Sequence, residues 1–119
     1  MIPVIDLESE LRSLQARDDE VTSNMLLKTS DLRILLIAMK RGARLPEHHA
    51  DARLSIQVWK GSVRLTVSGE TAVLKGGSVA ALEASVLHSV EAIEDSSLLL
   101  TLAWPRAGEL EGLPHRRYA

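Results

Sequence analysis

An all-β barrel or sandwich carrying one short N-terminal helix is the fold class this sequence predicts, and three observations predict it. From Met25 to Trp104 apolar residues recur largely at every second position, the period of a strand with one buried face. Turn residues punctuate that stretch at short intervals: Gly61, Gly69, Gly76–Gly77 and Asp95–Ser96. Only residues 6–17 carry a helical period. Roughly nine short strands with regular turn signals are the pattern of a closed or sandwiched antiparallel fold.

The helix is "DLESELRSLQAR". Leu7, Leu11 and Leu14 fall at i, i+4 and i+7 and make one narrow apolar stripe. Asp6 caps the N-terminus, and Glu8 and Glu10 lie near the positive end of the helix dipole. A stripe three leucines wide docks on a sheet or on a partner subunit. "DDEVTSN" after it reads as a turn, so residues 1–24 form a helical extension, 25–105 the barrel and 106–119 a polar tail.

Within the barrel, "MLLKTS" and "LRILLIAMK" come first, followed by the shorter "ARLPEHH", interrupted at Pro46. "LSIQVWK" alternates Leu54, Ile56 and Val58 with Ser55, Gln57 and Trp59, and "SVRLTVS" alternates Val63, Leu65 and Val67 with Ser62, Arg64 and Thr66. "ETAVLK", "SVAALEA", "HSVEAIE" and "SSLLLTLAW" complete the series. "LRILLIAMK" and "LLLTLAW" are apolar on nearly both faces. Such strands need cover outside as well as inside, from the helix or a second subunit, and a homodimer is the expected assembly.

Composition narrows the function classes. A chain of 119 residues is one domain by default, and at 13.0 kDa it buries roughly two thirds of its unfolded surface, enough for one core. With no cysteine there is no disulfide, thiolate metal site or thiol nucleophile. The start, "MIPVIDLESELRSL", is acidic where a signal peptide is basic, and no apolar run approaches the ~20 residues of a membrane span. A soluble cytoplasmic protein is expected. Net charge is -2, basic residues are scattered, aromatics make up 3% and phenylalanine is absent. Nucleic acid, which calls for a cationic stripe and stacking surfaces, is not the expected partner. A small molecule is, in a cavity lined by Leu, Ile, Val and Ala.

The chemistry gathers in "RLPEHHADARLSIQVWKG" and "GGSVAALEASVLHSVEA". Gly42 is followed after five residues by His48, Gly61 closes the next hairpin, and His88 lies eleven positions beyond Gly77. Over Leu32 to Trp104 this arrangement resembles the cupin superfamily, which implies a small antiparallel double-stranded β-helix, a jelly-roll type barrel. In its metal-binding members the first motif supplies two histidines and a glutamate, and the second one histidine. Gly42, His48 and Gly61 match the first motif here, and Gly77 and His88 the second. Ala50 stands at the second histidine position and Leu54 at the glutamate position. Glu83, Ser85 and Ala92 stand where the second motif has proline, glycine and asparagine. The resemblance thus implies two of four metal ligands.

Parity sends Leu54, Ile56 and Val58 inward, and Val90 and Ala92 inward with His88. His49 adds a third nitrogen if the irregular strand around Pro46 swings it in; strict alternation turns it out. Two readings stay open. With His48, His49 and His88 together, the site is a three-nitrogen set for zinc, nickel or iron and suits a metal-dependent dioxygenase or isomerase. With His49 outside, two imidazoles bond each other, water or a ligand in a metal-free pocket, and the chain is a binding or sensor module. Whether it is an enzyme is not decided by these residues. Glu47, Asp51, Glu83 and His115 read as solvated, Gln57 as exterior, and Trp59 as packing on the helix or a partner. Gly76–Gly77 lacks a phosphate-loop lysine, and Ser85 and Ser89 lack a nucleophile elbow.

Overall fold

A computed structural model describes residues 1–104; the tail expected over 106–119, with His115, lies outside the described residues. Asp6 starts the one helix among the described residues, α1 (Leu7–Gln15), its carboxylate accepting from the backbone N–H of Glu8 and of Ser9. Nine strands follow: β1 (Val21–Lys28), β2 (Leu32–Met39), β3 (Arg44–His48), β4 (Arg53–Lys60), β5 (Ser62–Val67), β6 (Glu70–Lys75), β7 (Val79–Leu82), β8 (His88–Ala92) and β9 (Ser96–Ala103). All pairings are antiparallel. They form a five-stranded sheet in the order β1-β2-β9-β4-β7 and a four-stranded sheet in the order β3-β8-β5-β6. The jelly-roll expectation holds as two facing sheets that do not close into one continuous ladder.

One local expectation is corrected. Residues 18–24 are not all turn, because Val21–Asn24 belong to β1, which ladders with β2 from Val21↔Met39 onward. The cause is tertiary: the partner strand supplies the backbone hydrogen bonds, and Thr22 is buried with its hydroxyl donating to the Leu14 carbonyl.

The core lies between the sheets. Ile37 and Met39 of β2, Leu54, Ile56 and Val58 of β4, and Leu98 and Leu100 of β9 meet Val63, Leu65, Val90 and Ala92 from the other sheet. These positions step by two along each strand, so the expected inward faces are the observed ones. On the outer face Leu11 and Leu14 of α1 bury Leu36, with Leu26, Ala38, Trp59 and Leu99 packed around them. The helix therefore supplies cover that the doubly apolar β2 and β9 require. Exposed ion pairs frame it, Lys60 to Glu8 at 2.8 Å and Lys40 to Asp18 at 2.6 Å. The second pair, through its hydrogen bond first, holds the Asp18 carboxyl below its usual value and the Lys40 amine above.

Gly61 joins β4 to β5 with φ +89, and a Cβ there would overlap the Asp95 carbonyl and the Ser96 side chain. No other residue fits that turn without displacing backbone. On β3 the register with β8 slips between Leu45 and His48, which leaves Pro46 and Glu47 opposite a single partner position. That bulge is where a proline, which has no N–H to give a ladder, is tolerated.

Candidate functional site

The two motif histidines meet at one end of the sandwich. His88 opens β8, His48 ends β3, and the two are register partners. Val90 and Ala92 of β8 point into the core, so His88, two residues before Val90, points the same way and is 3% exposed. On β3, Leu45 packs against the core. Counted from Leu45 rather than from an inward His48, unbroken alternation would turn Glu47 and His49 inward and His48 out. The bulge at Pro46–Glu47 inserts one residue and reverses that parity. His48 comes beside His88, with ring centroids 4.2 Å apart and planes tilted by 59°, and stays exposed where His88 is buried.

Both rings are oriented by backbone. His48 Nδ1 lies 2.8 Å from the Pro46 carbonyl and His88 Nδ1 lies 3.0 Å from the Val86 carbonyl. A carbonyl only accepts, so each Nδ1 carries a proton, and a ring of this tautomer has its lone pair on Nε2. The pair thus offers two acceptor nitrogens. Loops close around it: Ser85 N–H donates to the Ala50 carbonyl at 2.8 Å, and Ser85 adopts φ +65. That is the left-handed conformation for which glycine is suited, at a position where the resemblance implies glycine.

His49 follows the end of β3 and is exposed, and it is not brought to the pair. Among the described residues no group of three or more His, Asp or Glu side chains is placed to hold a metal ion. Leu54 is buried at 5% exposure in the apolar core, and Ala50 offers no donor. A resident catalytic metal calls for about three protein ligands and charge compensation. Two imidazoles without a carboxylate do not fit that requirement. Glu47, Asp51 and Glu83 are exposed around this end, and Gln57 is exposed on the outer face of β4.

One residue of this end went unread in the sequence. Leu35, Ile37 and Met39 of β2 face inward, so Arg33 does too. It belongs to an inward row in which Arg33 pairs with Leu102, Leu102 with Leu54, and Leu54 with Leu82. Its guanidinium lies 4.6 Å from the Trp104 ring centroid, and its Nε is buried without a hydrogen-bond partner among the described residues. The signal available was the single charge inside the otherwise apolar "LRILLIAM".

A cleft of about 350 Å³ lies elsewhere, with Leu11, Leu14, Lys40, Lys60, Asp95 and Ser97 among its lining residues. These residues sit beneath α1, beside the β8–β9 turn, at the opposite end of β8 from His88. It is not the apolar barrel cavity expected from the sequence. Between the sheets, branched aliphatic side chains interdigitate as a packed core. No helix among the described residues is long and apolar enough to cross a membrane.

No family model matches the sequence, and no curated protein matches it. Solved structures do resemble the fold. A conserved protein of unknown function from Streptococcus pyogenes shares 22% identity over 89% of this chain and 90% of its own, with a TM-score of 0.73. A cupin superfamily protein from Desulfitobacterium hafniense shares 17% over 75% of this chain and 82% of its own, at TM-score 0.71. Salicylate 1,2-dioxygenase from Pseudoaminobacter salicylatoxidans shares 15% over 83% of this chain but 32% of its own, at TM-score 0.76. At such identities the likeness is one of fold.

Proposed function

We propose, from the premise that this chain has the cupin fold, that it is a small-ligand binding module whose site is the end of the sandwich holding His48 and His88. The carrying observation is that the two imidazoles are paired, each with Nδ1 on a backbone carbonyl, while the two positions where the resemblance implies further ligands are Ala50 and Leu54. Two imidazole acceptors suit orientation of a small molecule, where a few polar groups fix a ligand. Scattered basic residues and an aromatic content of 3% favour a small-molecule role over nucleic acid.

A metal-dependent enzyme of the dioxygenase or isomerase type is the second reading. What favours it is the Nδ1-to-carbonyl bond on each ring, the arrangement that orients metal-ligating histidines. Calorimetric titration of untagged protein with zinc, nickel and iron(II) separates the two. The binding-module reading expects no tight one-to-one site, and no difference among wild type, His48→Ala, His49→Ala and His88→Ala. A tight site lost equally in all three variants would replace it with a three-histidine metal centre.

A further inference from the structure

We infer that the chain pairs with a second copy of itself by exchanging N-terminal arms. Residues 2–5 of each copy lie on the outer face of the partner's five-stranded sheet, in the trough beside α1. The arm is the first observation. Ile2 is 83% exposed, Val4 85% and Ile5 40%, so the apolar run ahead of Asp6 touches little of its own chain. A lone exposed aliphatic residue is ordinary on a protein surface, but a run of them that the core does not use is a contact surface. Asp6 ends the run by capping α1, and the Lys60–Glu8 pair holds that end of the helix to β4. The root of the arm is therefore fixed while its side chains stand in water.

The trough is the second observation. Leu35, Leu54, Ala80 and Leu100 pack in the core, so their neighbours Ile34, Ser55, Ala81 and Thr101 face outward. Ile34 pairs with Thr101, Thr101 with Ser55 and Ser55 with Ala81, a row across four strands that lies outside the cluster α1 covers. The next row toward α1 runs through Leu99, Gln57 and Val79, the last 63% exposed. Neither row holds a charge. The outer face of the other sheet is finished differently: Arg44, Glu91 and Arg64 form a row across β3, β8 and β5, with Arg64 on Glu91 at 2.6 Å. An uncharged face beside that charged one is a face made for contact. A helix with its side chains is ~10 Å across, so α1 stands about that far above the floor, a step one extended chain fills. Area and charge select a second copy as its source. Ile2, Pro3, Val4 and Ile5 bury roughly 60–120 Å² each, about 350 Å² per arm. Each arm covers as much of its host, so a reciprocal exchange buries roughly 1,400 Å², the size of a stable complex. A two-fold axis sets like surfaces close together, which repels where they are charged; residues 2–5 and both rows carry no charged side chain. Docking of the arm on its own sheet would use the same surfaces, and the single chain does not adopt it.

The test is sedimentation of the full chain and three variants, each substituted at exposed positions so that the fold survives. Ile2→Asp with Val4→Asp removes the arm's apolar character and should weaken the dimer about a hundredfold or more. Val79→Asp, in the trough, should weaken it about tenfold or more. Val73→Asp is the control: Val73 is 53% exposed and pairs with Arg64 on the charged face, so the dimer should be unchanged. In a mixture of methyl-labelled and unlabelled wild type, Ile2 and Val4 methyls should show nuclear Overhauser contacts to Val79 or Ile34 of the other copy. A monomeric wild type overturns the inference, whether its arm is free or docked on its own sheet. A dimer that survives the arm variant, or is lost equally in Val73→Asp, also overturns it. None of these outcomes alters the reading of the histidine end.

Discussion

His48 reaches His88 because of a single extra residue. Parity counted from Leu54 or Val90 was legible in the sequence, since those strands alternate without a break. Parity on β3 was not, because a bulge leaves only an indirect trace, here Pro46, and the side it re-aims depends on how the partner strand pairs. Arg33 was missed for a related reason: a strand apolar on both faces does not announce which face a lone charge takes. Ser85 gives this scale its prediction. It holds φ +65 where the family resemblance implies glycine, and an L side chain in that region carries a cost of ~1–2 kcal/mol. Glycine removes the cost but loses more entropy on folding. Ser85→Gly is therefore expected to stabilise by about 0.5 kcal/mol, read as a higher urea midpoint at unchanged slope. A lower midpoint would show that the Ser85 side chain contributes more than its backbone strain costs.

Among the elements, α1 was the most legible, since its cap, its acidic first turn and its stripe all lie within one short stretch. The need of β2 and β9 for outer cover was legible as well. What supplied it was not, because helix and partner subunit satisfy the same apolar pattern, and only the packing of Leu11 and Leu14 on Leu36 shows the helix in that place. Leu11 is 2% exposed, so Leu11→Ala leaves a void between the helix and the sheet beneath it. The expected loss is ~2–4 kcal/mol, measured by urea denaturation. A loss below about 1 kcal/mol would mean that α1 is only loosely docked.

At the level of the molecule, the strand order is the part least readable from periodicity. β9, last in the described chain, lies between β2 and β4, and no local pattern encodes a pairing across more than fifty residues. The cupin resemblance carried that information. Homodimerisation, expected from the doubly apolar strands, is proposed on narrower ground. α1 takes part of their outer face, while Met25 at 42%, Val79 at 63% and the arm residues Ile2 and Val4 stay exposed. Light scattering at micromolar concentration should give twice the 13.0 kDa chain mass; a monomer mass would remove the proposal.

Sheets that face each other without closing leave four outermost strands among the described residues, β1 and β7 in one and β3 and β6 in the other. Each outermost strand is a template on which a foreign strand can add, the first step toward fibres. Here every template is spoiled in its own way. β7 is only four residues long, β3 is bent by its bulge and lacks an N–H at Pro46, β1 breaks register between Met25 and Leu27, and β6 is bounded by Glu70 and Lys75. The same proline-marked irregularity that turns an imidazole into the site thus also guards the chain against templated growth from that side.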